Sequence, residues 1–373
     1  MTWTNTLPAD PDPTSGYYIA GLAADASDAA YIVLGPNFGA DVANLIRVDG
    51  ATGAFEWNTS FVPASEGNGL PLLLASGDVE IVATGAHYTP AIDHFDAASG
   101  AVSTLTLELV SVGQDVGPAI GADGAKYFSY TANQGTAQAS SVVSRLNLDG
   151  TLAWTSVDLG TLGPSPGTDN DVFPSSIALG RDDLVVVATQ VITTPFNGTV
   201  VIALDSTTGA ARWANAIPGE LVGGPAVAAD GSVVALIGAP SSKLFVFEVT
   251  GATRRAVDLG EGTFQIFAIA LDGTVIVGAD DREGVAGLTA VNAAGVIVWN
   301  TRLAGIRTVT IDAKGTLLTS TSTGIVGLDL TTGQTKWTLA APHQGSCVTG
   351  FTLTSAGGIV AAQCDSTVFG ASD

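Results

Sequence analysis

The side chains best suited to acid–base or metal chemistry in this chain are three histidines, His87, His94 and His343. Their spacing matches no metal-ligand pattern, which would set two or more donors on one ion. Asp169-Asn170-Asp171 and Asp280-Asp281 offer the hard oxygens that calcium takes. Neither has the loop spacing of a dedicated calcium site, so both read as solvated turns and no metal is expected. No Gly-x-Ser-x-Gly occurs as a nucleophile elbow. No catalytic residue is therefore assigned. What remains is a set of groups suited to binding, namely Phe38, His87, Tyr88, Gln114, Asn133, Phe196 and His343. Phe38, Tyr88 and Phe196 could stack on a sugar, and the amides and imidazoles could hydrogen-bond a ligand.

Two cysteines, Cys347 and Cys364, are too few for a thiolate metal site. They flank the hairpin Val348–Gln363, about equally far from its turn at Ser355–Gly358. A cross-strand disulfide is expected, with two separate buried thiols as the alternative. A disulfide implies an oxidising compartment.

These groups must be positioned by strands and turns. The organising stretch is Val200–Trp213, VVIALDSTTGAARW. Val200 to Leu204 is a β-branched apolar run that suits a buried strand. Asp205 can accept from backbone N–H groups of the following turn. Gly209 supplies a left-handed backbone conformation, and Trp213 sits in the returning strand. Variants recur at Leu45–Trp57, His94–Thr104, Arg145–Trp154, Phe247–Arg255, Leu288–Trp299 and Gly324–Trp337. Gaps between their anchor positions run from 37 to 58 residues, the range of a propeller repeat. A second hairpin precedes each anchor, as in PAVAADGSVVALI at Pro225–Ile237. Asp-Gly between apolar runs is a strong hairpin signal. Each unit thus holds four strands, a to d, the content of one blade.

The pattern A-x-D-x-x-T-G-x-x-x-W is met by Ala203, Asp205, Thr208, Gly209 and Trp213. It resembles the repeat of the quinoprotein-like (PQQ-like) β-propellers. The resemblance implies an all-β, eight-bladed propeller of four-stranded antiparallel blades. It also implies that Trp3, Trp57, Trp154, Trp213, Trp299 and Trp337 dock between neighbouring blades. The expected organisation is a single propeller domain over 1–373. Its blades cover 17–60, 70–107, 117–157, 173–216, 224–258, 265–301, 305–339 and 348–373, with a Pro-rich linker at 8–16. Thr367–Asp373, TVFGASD, matches Thr199–Asp205, TVVIALD, and stops where a Trp-bearing strand is due. Residues 1–7 carry Trp3, so they are expected as the outer strand of blade 8, closing the ring.

Net charge is −22, from 13 Lys and Arg against 35 Asp and Glu. Such a chain is repelled by nucleic acid and by anionic membrane surfaces. No apolar run reaches membrane-spanning length. No signal peptide is legible at Met1-Thr2-Trp3, and one is expected to have been removed. In an a-b-c-d blade the a–b and c–d turns share one end. The longer d–a and b–c connections share the other, where function is expected. The resembling family contains both dehydrogenases and non-catalytic scaffolds. Its alcohol dehydrogenases carry large insertions, an adjacent-cysteine disulfide and a calcium site with a catalytic Asp, and this sequence has no Cys-Cys pair. The expectation is a monomeric, non-catalytic, extracytoplasmic scaffold without cofactor, presenting its loop end to a protein or glycan. The alternative is a small quinoprotein dehydrogenase using PQQ and calcium.

Overall fold

The computed structural model describes residues 2–7, 17–36, 43–61, 71–85, 89–107, 112–132, 140–163, 172–181, 183–192, 196–238, 241–260, 263–280, 286–343, 347–365 and 367–371. They form the eight antiparallel sheets of an eight-bladed propeller, each a meander in chain order apart from the last. The chain divides into two compact units, 1–106 with 303–373, and 107–302.

In the first unit, blade 1 is Tyr17–Ala24, Ala29–Pro36, Ala43–Asp49 and Phe55–Phe61. Blade 2 is Leu72–Leu73, Val79–Gly85, Thr89–Phe95 and Val102–Thr106. Blade 7 is Val309–Ile311, Thr316–Thr321, Gly324–Asp329 and Thr335–Ala340. Blade 8 joins Val348–Leu353, Ile359–Gln363 and Thr367–Ala371 to Thr2–Thr6 from the other end of the chain. The closing strand pairs antiparallel with Thr367–Ala371, from Thr2 opposite Ala371 to Thr6 opposite Thr367. This pairing closes the ring as the TVFGASD fragment predicts, and Leu7 follows it into a core with Ile32, Ile46 and Val360.

In the second unit, blade 3 is Val112–Ile120, Lys126–Ala132, Ser140–Leu146 and Leu152–Thr155. Blade 6 is Thr263–Ile269, Val275–Asp280, Ala286–Val291 and Ile297–Arg302. Blades 4 and 5 differ in having a first strand broken in two. In blade 4 it runs Val172–Pro174 and Ala178–Leu179, ahead of Leu184–Ile192, Asn197–Asp205 and Ala211–Pro218. In blade 5 it runs Glu220–Leu221 and Ala226–Val227, ahead of Val233–Gly238, Ser242–Phe247 and Thr253–Gly260. Within the irregular stretch after blade 3, Leu159–Leu162 forms a short 3-10 turn. The Asp158 side chain caps it by accepting from Gly160 N.

Second strands such as Val233–Gly238 are buried along their length and third strands such as Asn197–Asp205 over most of it, because both sheet faces are covered. Alternate residues serve the two sides. Val185 and Val187 pack with Tyr127 and Val143 of blade 3, whereas Leu184, Val186 and Ala188 pack with Val233 and Ala235 of blade 5. The fourth strands alternate exposed and half-buried, as in Thr253–Gly260.

The Asp turn behaves as its residues dictate. Asp205 Oδ1 accepts from Thr207 N, Thr208 N and Thr208 Oγ1 at 3.0, 2.9 and 3.0 Å. Asp49, Asp96 and Asp329 repeat this with Thr52, Ser99 and Thr332. Arg212 Nη2 adds a bond to Asp205 Oδ2 at 2.7 Å. That bond first, then those from Thr208, hold the Asp205 carboxyl at a pKa of about 2, below its ordinary 3.8.

The tryptophan of one blade reads the turn of the next. Indole N–H groups donate from Trp3 to Gly50 O, Trp57 to Ala97 O, Trp154 to Ser206 O and Trp213 to Val249 O, at 2.9 to 3.0 Å. Gly209 shows why the turn needs glycine. Its φ is +71°, and a Cβ there would sit 2.6 Å from Trp154 Cε3. In four blades the residue across from the ring on its own sheet is small: Ala203 faces Trp213, Ala290 faces Trp299, Gly327 faces Trp337 and Gly370 faces Trp3; in blades 1 and 3 it is an arginine, Arg47 facing Trp57 and Arg145 facing Trp154. Blade 2 has no tryptophan, and the row there is Glu80, His94 and Ser103.

One tryptophan departs from the expected docking. Trp337 is 38% exposed, whereas Trp299 is 8% exposed. Among the described residues no acceptor meets the Trp337 indole N–H; its ring lies against Gly327 of its own blade.

Candidate functional site

A concavity lies within the second unit, between the broken first strands of blades 4 and 5. It is a cleft of about 490 Å³. One wall is Pro174, Ser175 and Ser176, the other is Glu220, Leu221, Gly223 and Gly224, and Gln190 spans them. It sits toward the blade ends that carry the b–c and d–a connections, since Gln190 lies near the end of Leu184–Ile192 and Glu220 follows Ala211–Pro218.

The break in blade 4 has a side-chain cause. Ser175 N still bonds to Ala188 O at 2.7 Å, but Ala188 N turns to Ser175 Oγ at 3.0 Å. The freed Ser175 carbonyl accepts from Ser129 Oγ of blade 3 at 2.6 Å. The hydroxyl thus replaces a ladder carbonyl and tilts the strand out of the sheet. In blade 5 the break is Val222-Gly223-Gly224-Pro225. Gly223 has φ +77°, a conformation that costs glycine little. Gly224 approaches blade 4 so closely that a Cβ would lie 1.9 Å from Ser176 Oγ.

Gln190 fixes the two walls. Its Oε1 accepts from Leu221 N at 2.6 Å and from Thr199 Oγ1 at 3.5 Å. Gly219 O, at 3.0 Å, is the nearer of the two acceptors for the single Thr199 hydroxyl proton. Glu220 is the single charged residue of the lining, is exposed, and has no ion-pair partner among the described residues.

Of the binding residues singled out from sequence, Phe196 and His343 are the ones with described side chains, and neither lines the cleft. Phe38, His87, Tyr88 and Asn133 lie outside the described residues, as do Asp169, Asn170, Asp171 and Asp281. Gln114 falls in the first strand of blade 3, with its side chain outside the description. Phe196 is half-buried and packs onto the core between blades 3 and 4, against Gly198, so it serves packing. His343 belongs to a clasp in the first unit. Its Nδ1 lies 2.7 Å from Asp365 Oδ2 and 3.1 Å from Thr367 Oγ1. Its backbone exchanges bonds with the buried Gln363 side chain. Burial raises the Asp365 pKa, but the His343 and Thr367 bonds outweigh it and leave that carboxyl below its ordinary value. A disulfide joins Cys347 to Cys364 beside the clasp, with Cα atoms 5.4 Å apart. Asp365 and Thr367 meet the same imidazole nitrogen. A nucleophile–base–acid relay needs its partners on opposite nitrogens, so the clasp is built to hold rather than to react. His94 has Asp78 and Glu80 each 3.6 Å away, on different ring nitrogens.

The residues were tested against the cofactor that PQQ-like repeats imply. PQQ carries several carboxylates and would need cationic partners, yet the cleft offers no Lys or Arg and presents Glu220. Among the described residues no group of three or more His, Cys, Asp or Glu is placed to hold a metal ion. The lining of this cleft does not fit PQQ.

Comparison with known proteins gives a family match over part of the chain and a shared fold over nearly all of it. The family model described as outer membrane protein assembly factor BamB matches residues 139–238, from blade 3 through the second strand of blade 5. The chain is an eight-bladed propeller of PQQ-like repeats. No curated protein sequence matches it. Among solved structures it is similar to BamB from Moraxella catarrhalis, at 17% identity over 99% of this chain and 97% of that one, with a TM-score of 0.56. It is also similar to a europium-containing methanol dehydrogenase, at 12% identity over 96% and 84%, with a TM-score of 0.59. A third is virginiamycin B lyase from Staphylococcus aureus, at 11% identity over 99% of both chains, with a TM-score of 0.52. At such identities the likeness carries the fold alone. The PQQ-like propeller thus has both an assembly factor and enzymes among its neighbours. No helix among the described residues is long and apolar enough to cross a membrane.

Proposed function

We propose that this propeller is a non-catalytic, extracytoplasmic binding scaffold whose loop-bearing blade ends receive a segment of a partner protein. The observation that carries the reading is the cleft between blades 4 and 5. It has concavity and a few convergent polar groups, as binding sites require, without an acid–base pair or a nucleophile. Three further features support it. A family model that matches residues 139–238 describes an assembly factor, and a BamB structure aligns over nearly the whole chain. The Cys347–Cys364 disulfide suits an oxidising compartment. The Asp turns at the opposite blade ends are saturated with their own backbone bonds, so they have little left to offer a ligand.

The competing reading is a small quinoprotein dehydrogenase, favoured by the methanol dehydrogenase likeness. Purified protein incubated with PQQ and calcium, then assayed for alcohol-dependent reduction of an electron-accepting dye, separates them. The scaffold gives no turnover above a protein-free control. Saturable, cofactor-dependent turnover overturns the scaffold reading.

A further inference from the structure

Resting on that binding reading, we propose that the cleft takes an extended peptide segment and seats a lysine or arginine side chain of that segment against Glu220. The first support is the set of hydrogen-bonding groups the cleft leaves unused. The backbone amides and carbonyls of Gly223 and Gly224 make no hydrogen bond to any described residue. The same is true of Ser176 Oγ, although Ser176 O accepts from Ser175 Oγ at 3.0 Å. Adjacent unused donors and acceptors, here at a bend where Gly223 has φ +77°, are what the backbone of a bound peptide can satisfy. The first strand of each blade is also the terminal strand of its sheet, with a neighbour on one side only.

The second support is charge. Glu220 is the one charged lining residue, exposed and without an ion pair among the described residues. With a chain charge of −22, the field at the cleft favours a cation and disfavours phosphates, carboxylate ligands and nucleic acid. The third support separates peptide from glycan. Sugars present apolar faces that stack on flat rings, and no aromatic residue is among the described residues lining the cleft. Leu221 and Pro174 are the apolar lining, enough for a small aliphatic side chain beside the basic one. The volume of about 490 Å³ falls in the ~300–1,000 Å³ range of small-ligand sites.

Pre-organisation completes the argument. Gln190 braces Leu221 and Ser175 is tied to both Ala188 and Ser129, so the walls are held before a ligand arrives. A peptide would then lose its own freedom but would not have to order the site.

The test uses the full chain and an array of acetylated, amidated hexapeptides covering all residue types at each position, with a glycan array beside it. Retained peptides should share Lys or Arg at one position. Titration of the tightest peptide should weaken about tenfold or more in Glu220→Gln, the loss of one bond to a charged group. Glu220→Asp should recover part of that loss. Glu248→Gln, which removes an exposed carboxylate at the opposite end of blade 5, should leave binding unchanged. Binding should also weaken with added salt. Retained peptides without a basic preference, equal affinity in Glu220→Gln, or no retained peptide would each overturn the proposal. Retention on the glycan array alone overturns it while leaving the binding reading intact. PQQ-dependent turnover removes the binding reading itself.

Discussion

Deleting residues 1–7 should lower the thermal midpoint on the order of 10 °C and produce concentration-dependent oligomers. The deletion removes the whole closing strand of blade 8, with its pairing from Thr2–Ala371 to Thr6–Thr367. It also removes the Trp3 indole bond to Gly50 O, the Asn5 amide bond to Gly53 O, and Leu7, which is 2% exposed. Burying one leucine stabilises by roughly 1.5–3 kcal/mol, and emptying an aromatic site costs roughly 3–5 kcal/mol. Together they reach roughly 5–8 kcal/mol, and at about 2.1 cal/mol/K of unfolding entropy per residue each kcal/mol shifts the midpoint of a 373-residue chain by ~1.3 °C. The newly bared edge is Thr367–Ala371, TVFGA, an apolar strand without a blocking charge. Calorimetry and light scattering across a concentration series read both effects. A truncated chain that melts with the parent and stays monodisperse would mean that the strand is dispensable to the ring.

Two chemically identical substitutions should differ several-fold. Trp299→Ala should cost roughly 3–5 kcal/mol, the range for a buried aromatic side chain. Trp337→Ala should cost less than about 1 kcal/mol, within the range of surface substitutions. The contrast rests on exposure, 8% against 38%, and on the Trp337 indole having no acceptor among the described residues. Both residues occupy the same register, opposite Ala290 and Gly327. Local sequence therefore predicts the same role for each, and only the surroundings set them apart. Denaturant unfolding of the two variants checks this. Equal losses would place both rings in equivalent environments.

The two tryptophans show where sequence reasoning reaches and where it stops. The Asp–Thr–Gly turn is legible because its geometry is satisfied by neighbours in the chain, such as Asp205 with Thr207 and Thr208. The closing strand is legible because a fragment matching a third strand must be followed by a fourth. The exposure of Trp337 is not legible, because it depends on what the adjacent blade presents. Nor is the cleft. Sequence reasoning sought aromatic, amide and histidine groups in long connections, and Phe196 proved to serve packing while His343 clasps Asp365. The cleft is instead built from backbone atoms at Gly223 and Gly224, a strand break imposed by the Ser175 hydroxyl, and one carboxylate. Backbone donors have no residue-type signature. The available signal was Val222-Gly223-Gly224-Pro225, a break inside an expected first strand that reads as an ordinary loop.

The central claim is that this propeller works by binding a segment in the cleft between blades 4 and 5. Hydrogen exchange of the full chain, alone and saturated with the tightest array peptide, tests it most directly. The account predicts slowed exchange in 172–179 and 219–227. Slowed exchange confined to the opposite turns at 205–211, 229–232 and 249–252, with 172–179 and 219–227 unchanged, would contradict it.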